Sequence, residues 1–316
     1  MHEKLYVLHA LSPLHAGTGR GQDLIDLPIA REAATGHPYL PGSSLKGVLR
    51  ERVRSEEAAA SGVEPGTRSV TWKLFGPDTN HAAEHPGSVR FSDARLVLLP
   101  VRSDRGTFAW VTCPLVLARL RRDAGALTGF PATAVPTVKA ESARLATSSV
   151  LAEGGQVHLG VMTLACGDAL PADWVEAISA LVFAGDAWWT TALAERLCLV
   201  DDDMFTWLAE TTTEVRARIR IDPDKGTVAK GALWYEESLP AESILAGLVR
   251  GASTAARPEP AEGEVEGDEA PRSTPVISAG DALTALTPYL TAPLQLGGNA
   301  TVGMGLTQLH LRGGAR

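Results

Sequence analysis

The sequence predicts an α+β domain built on antiparallel sheet. Short β-forming runs and helical patterns are mixed along the chain, without the βαβ rhythm of a doubly wound sheet. Val215, Ala217, Ile219 and Ile221 alternate with Arg216, Arg218, Arg220 and Asp222. The turn residues Pro223, Asp224, Lys225 and Gly226 and a second β-rich run follow, which is a hairpin signature. The chain's 316 residues suffice for two ordinary domains or one large domain with insertions.

Each element has its own signal. Residues 4–11 are a short apolar run ended by Pro13, read as a strand. After a glycine-rich loop, Pro41 and Gly42 open a helix that fades near Ala60, with Ser43 or Ser44 as N-cap. Leu45, Val48, Leu49 and Val53 form its apolar face, and Lys46, Arg50 and Arg54 form a basic stripe beside it. Residues 70–74 read as a helical turn ending at Gly76. Residues 89–99 read as one strand or two with a kink, 108–113 as another, and Pro114 starts a helix. Residues 157–165 read as a strand with a glycine irregularity, 171–183 as an amphipathic helix and 197–200 as a short strand. Asp201–Asp203 cap a helix to Glu210. The hairpin covers about 213–237. Pro240 is read as opening a helix to about Arg250, and 279–290 as the last helix before a strand at 306–311.

Composition excludes several classes. Hydrophobic residues make up 45% and charged residues 21%, as in ordinary soluble proteins, so the chain is not collagen-like, mostly disordered or a polytopic membrane protein. The 31 glycines and 20 prolines imply many loops. Cys113, Cys166 and Cys198 are odd in number and widely spaced, which gives no zinc framework. They read as buried thiols in a reducing cytosol, and cytoplasmic is the expected location. No stretch is long and apolar enough for a membrane span. Net charge is −8, which argues against nucleic-acid binding unless local patches provide it. Residues 257–272 hold six acids against two arginines, with three prolines, and so carry half of that net charge. They read as a disordered acidic loop.

Three constellations could carry chemistry. The loop from His15 through Gly17, Gly19, Arg20 and Gly21 is either an ordinary turn or, with the Lys46/Arg50/Arg54 helix, a set of phosphate donors. It matches neither a Walker A nor a dinucleotide fingerprint. The hairpin arginines with Lys225 and Lys230 suit a phosphate backbone or guard an edge strand by charge. His15, Asp23, Asp26, Glu236 and Glu237 are the acid-base candidates. Asp26, framed by Leu24, Ile25 and Leu27, is either functional or an Asx-turn acceptor. His9 and His37 read as structural or exposed.

The stretch from Leu11 to Arg50 resembles the RAMP superfamily of CRISPR proteins. It is most similar to the repeated backbone subunits of type III-B (Cmr) complexes. Leu74–Phe75–Gly76, the block 89–94, the block 231–240 and the terminal glycine-rich run with Gly297 and Gly298 follow in the same order. The resemblance implies one RAMP domain over 1–316: a ferredoxin-like (RRM-type) palm with helical insertions and a protruding β-hairpin thumb. It implies several copies stacked on a CRISPR guide RNA with other Cmr subunits, and cleavage of complementary target RNA at regular intervals. Asp26 matches the cleaving aspartate, acting with a divalent cation (Mg or Mn) and as its ligand. His15 matches the loop histidine, and one of Glu236 and Glu237 an acidic position at the thumb base. Gly17, Gly19, Arg20, Ser44, Lys46, Arg50, Arg54, Arg216, Arg218, Arg220, Lys225, Gly297 and Gly298 are the expected RNA-binding residues. The alternatives are a non-cutting backbone subunit and a stand-alone nuclease that processes precursor CRISPR RNA.

Overall fold

The computed structural model describes residues 2–19, 25–62, 69–77, 85–125, 130–131, 133–255 and 275–313. Arg20, Asp23 and the acidic segment 257–272 lie outside them, as does the side chain of Lys230.

In chain order, β1 (His2–Ala10) and β2 (Tyr39–Leu40) precede α1 (Gly42–Ser61) and α2 (Val70–Phe75). Then come β3 (Val89–Phe91), β4 (Ala94–Arg102), β5 (Phe108–Thr112), α3 (Pro114–Ala124), β6 (Ser142–Leu145), β7 (Ala152–Glu153), β8 (Gln156–Leu159) and β9 (Met162–Cys166). α4 (Ala172–Phe183), α5 (Ala187–Arg196), β10 (Leu197–Leu199) and α6 (Asp202–Thr211) lead to the hairpin, β11 (Glu214–Ile221) and β12 (Val228–Ser238). β13 (Ile244–Gly251), β14 (Thr254–Ala255), β15 (Pro275–Ile277), α7 (Ala279–Leu286), β16 (Leu294–Gln295) and β17 (Leu306–Arg312) complete the chain.

Four strands form the palm in the order β17–β1–β13–β4, each antiparallel to its neighbour. α1 crosses between β1 and β4, and α7 between β13 and β17. That is the βαββαβ plan of the ferredoxin-like fold. α1 turns Leu45, Leu49 and Val53 into the core at helical spacing. The 103–243 stretch is inserted between β4 and β13. Its first part extends the sheet through β5 and β10, and its second is the hairpin. Trp110, Trp174, Tyr6 and Phe205 are among the largest fully buried side chains. No described helix is long and apolar enough to cross a membrane.

Four local expectations are corrected. The stretch expected to be helical from Pro240 is instead the strand β13, central in the palm and paired with β1, β3 and β4. Its nearly continuous burial hides the alternation that marks a strand, and Glu242, at φ 71°, breaks any helix before it. Residues 156–166 are a hairpin, β8 and β9, turned at Gly160 (φ 59°). α5 was not anticipated. It starts on Asp186, whose side chain accepts the Trp189 N–H. Neither Ser43 nor Ser44 caps α1: Pro41 holds the cap position, and the Gly42 N–H donates to Asp93 Oδ1 at 2.8 Å. Cys113 and Cys198 are buried and Cys166 half-buried. Desolvation raises the pKa of all three thiols, so they are poor nucleophiles.

Candidate active site

β12 organises the site. Where it leaves the free hairpin and enters the palm, two loop segments dock on it. Leu14 pairs with Leu239 through two backbone hydrogen bonds of 2.9 Å. Leu27 makes a parallel bridge to Glu236: its N–H donates to the Tyr235 carbonyl, and its carbonyl accepts the Glu237 N–H, both at 3.0 Å. The two segments also pair with each other. Gly17 lies opposite Ile29, and the Ala30 N–H donates to the Ala16 carbonyl at 2.7 Å. Residues 25–30 thus form a strap across the hairpin base.

Asp26 sits on this strap with its side chain exposed. Its Oδ2 accepts the Tyr235 N–H at 2.8 Å, and among the described residues Oδ1 has no hydrogen-bond partner. Oδ2 thus directs the acceptor role expected of an Asx turn to a strand far along the chain.

His15 is buried beside it. Nδ1 lies 2.6 Å from the Glu237 carbonyl oxygen, so Nδ1 carries a proton and donates it there. The glycines around the ring leave it room. A Cβ on Gly17 would lie 2.7 Å from Nε2, and one on Gly298 would lie 3.1 Å from Cδ2. Gly297 (φ 76°) passes so close that a Cβ would lie 2.2 Å from the His15 carbonyl oxygen, and the Gly298 N–H donates to that oxygen at 3.0 Å. Both glycine segments close on one histidine, while Gly17, Gly19, Gly297 and Gly298 keep an exposed side.

The two glutamates have separate tasks. Glu237 is buried. Its carboxylate accepts the Ile29 N–H (3.0 Å), the Arg31 guanidinium (2.5 Å) and the Thr213 hydroxyl (2.8 Å). Glu236 is also buried and accepts from Arg218 Nε (3.1 Å), Trp234 Nε1 (2.8 Å) and Asn299 Nδ2 (2.9 Å). Fully partnered carboxylates of this kind act as anchors. Glu236 ties the glycine-rich end to the hairpin, and Glu237 ties the strap.

Among the described residues the donors do not fit a resident cation: Asp26 offers one oxygen without a hydrogen-bond partner, both glutamates are occupied by N–H and O–H donors, and no group of three or more His, Cys, Asp or Glu could hold a metal.

The basic surfaces are also refined. On α1, Lys46 is half-buried. Desolvation, and then the nearby charges of Arg50 and Arg90, lower its pKa. Arg50 donates to the Pro77 carbonyl at 2.8 Å and Arg54 pairs with Glu51, so the cationic focus is Lys46, Arg50 and Arg90. Ser44 is exposed on the first turn of α1. The hairpin arginines do not form a free row. Arg216 pairs with Glu214, Arg218 turns inward to Glu236 and Met304, and Arg220 and Lys225 stay exposed. The opposite face exposes Val215, Ile219, Leu233 and Tyr235. Sequence reasoning missed Arg31, Arg90 and Asn299. Their partners lie far along the chain or on a neighbouring strand, so no local spacing marks them.

The RAMP superfamily model matches residues 7–308. The CRISPR system Cmr endoribonuclease Cmr4 of Pyrococcus furiosus is 34% identical over 77% of this chain and 79% of its own length. The crystal structure of oligomeric Cmr4 from Pyrococcus furiosus superposes with a TM-score of 0.69 at 25% identity, covering 99% of this chain and 98% of that one. A chain of the type III-B Cmr-beta complex bound to cognate target RNA shares the fold, with a TM-score of 0.67 at 20% identity over 98% and 96% of the two chains. With a superfamily match over nearly its whole length and a close Cmr4 relative, this chain belongs to the RAMP superfamily and, within it, to the Cmr4 family.

Proposed function

We propose that the chain is the repeated backbone subunit of a type III-B CRISPR RNA-guided complex and that it cleaves target RNA. A relative bears the name of an endoribonuclease, Cmr4 from the same organism crystallised as an oligomer, and a chain of this fold is part of a complex bound to cognate target RNA. One observation carries the reading. Asp26 presents an exposed carboxylate, held among the described residues by a single hydrogen bond, where hairpin and palm meet. Guide RNA lies along Lys46, Arg50 and Arg90 and the exposed sides of the glycine segments. The hairpin, with Arg220 and Lys225 near its tip, separates the bases of guide and target.

In this mechanism Oδ1 of Asp26 removes the proton from a target 2′-hydroxyl. The 2′-oxygen then bonds to the adjacent phosphorus as the bond to the 5′-oxygen breaks, and water protonates the leaving oxygen. The products are a cyclic phosphate and a 5′-hydroxyl. The buried His15 holds the glycine loop and strap in register.

Asp26→Asn tests this directly, because the amide oxygen can still accept the Tyr235 N–H. The variant should assemble on guide and bind target normally, yet cut at least about 100-fold slower, the usual size of an acid-base contribution. Cutting at the wild-type rate would leave the non-cutting backbone subunit as the better reading.

A further inference from the structure

We propose that the ion pair between half-buried Arg31 and buried Glu237 holds Asp26 in its cutting position, with Arg31 as the positioning residue. The inference rests on the reading of Asp26 as the cutting carboxylate.

Glu237 joins both loop segments to the hairpin. Its N–H donates to the Leu27 carbonyl, its carbonyl accepts from His15, and its carboxylate accepts from Ile29 and Thr213. The side chain is only 3% exposed, and a carboxylate so buried is held by paired donors. Arg31 supplies the charged one at 2.5 Å, from the chain that continues directly out of the strap. The same guanidinium also donates to the Gly36 carbonyl (2.9 Å) and, at the end of α6, to the Ala209 carbonyl (3.0 Å). The strap's exit is therefore fixed to the hairpin, to its own turn and to the insertion by one side chain.

Asp26 depends on this anchoring. Among the described residues its side chain has only the Tyr235 N–H as a partner, and the strap meets β12 through one isolated bridge, without a ladder. Besides this bridge and its pairing with residues 16–18, the strap is held to β12 by the Glu237 contacts, and among these the Arg31 pair is the charged one. A displacement of about 1 Å can lower a rate on the order of 100-fold.

The experiment uses guide-bound complex under single-turnover conditions. Arg31→Met removes the countercharge and the fork. It should slow cutting by about 10- to 100-fold with target affinity unchanged, and Arg31→Lys should recover part of the rate. The decisive readout is the double variant. Added to Asp26→Asn, Arg31→Met should cause no further loss, because its effect acts through Asp26. A purely structural role would multiply the two losses and would overturn the proposal. If Arg31→Met fails to assemble, Thr213→Val decides. It removes one donor to the same carboxylate and should give a smaller loss with the same non-additivity. Wild-type cutting by both Arg31→Met and Thr213→Val, with a slow Asp26→Asn, would reject the positioning role alone. A fast Asp26→Asn would reject the cleavage reading and this proposal with it.

Discussion

A methyl group at residue 17 would sit 2.7 Å from Nε2 of His15, whose ring is held on its other side by the Glu237 carbonyl. Since the ring is buried, Gly17→Ala must push it off that hydrogen bond. Overpacking of this kind costs about 1–3 kcal/mol. Gly47 gives the opposite case. It lies exposed in α1 with nothing within 4 Å of a would-be Cβ, and alanine there should gain about 0.5–1 kcal/mol. Thermal melts of the two variants without RNA should therefore shift in opposite directions. Equal shifts would mean that Gly17 is an ordinary loop glycine. The sequence showed a run of glycines and suggested phosphate contact. It held no sign that two distant glycine segments meet on one imidazole.

At the scale of the element, α1 divides its cations by environment. Lys46 carries a proton against burial and two neighbouring cations, so an RNA phosphate there relieves an existing cost. Arg54 is already paired with Glu51. Lys46→Ala and Arg90→Ala should each weaken guide binding on any sequence. Each should also flatten the salt dependence, by about 0.7 in the logarithmic slope for single-stranded RNA. Arg54→Ala should leave that slope unchanged. A slope insensitive to Lys46 and Arg90 would place the guide elsewhere. The helix and its stripe were legible because spacing along a helix is a local property. Arg90 was not, because it reaches the stripe from β3.

At the scale of the whole molecule, a strand pair joins the two sides of the acidic stretch. Ala255 pairs with Pro275 and Thr254 with Ile277, so the chain on either side of residues 256–274 is already joined. Deleting residues 259–270 should leave the melting temperature and guide binding unchanged. A large loss of stability would show that the stretch contributes to the core.

The sequence by itself determined the hairpin, the helices α1, α2, α3, α4, α6 and α7, and the strands β1, β4, β5, β10 and β17. Their signals are alternation, helical spacing and end residues such as Pro114 and Asp201, all set by near neighbours. The tertiary structure decided the rest. β13 is a strand because β1 and β4 flank it, overriding a local pattern that opens like a helix at Pro240. Asp26 could be singled out from its apolar frame and its family resemblance. Its exposure, the fixed ring of His15 and the anchoring of the strap by Glu237 and Arg31 come from contacts more than two hundred residues apart in sequence. No local preference encodes such contacts; they exist only once β12 has run into the palm.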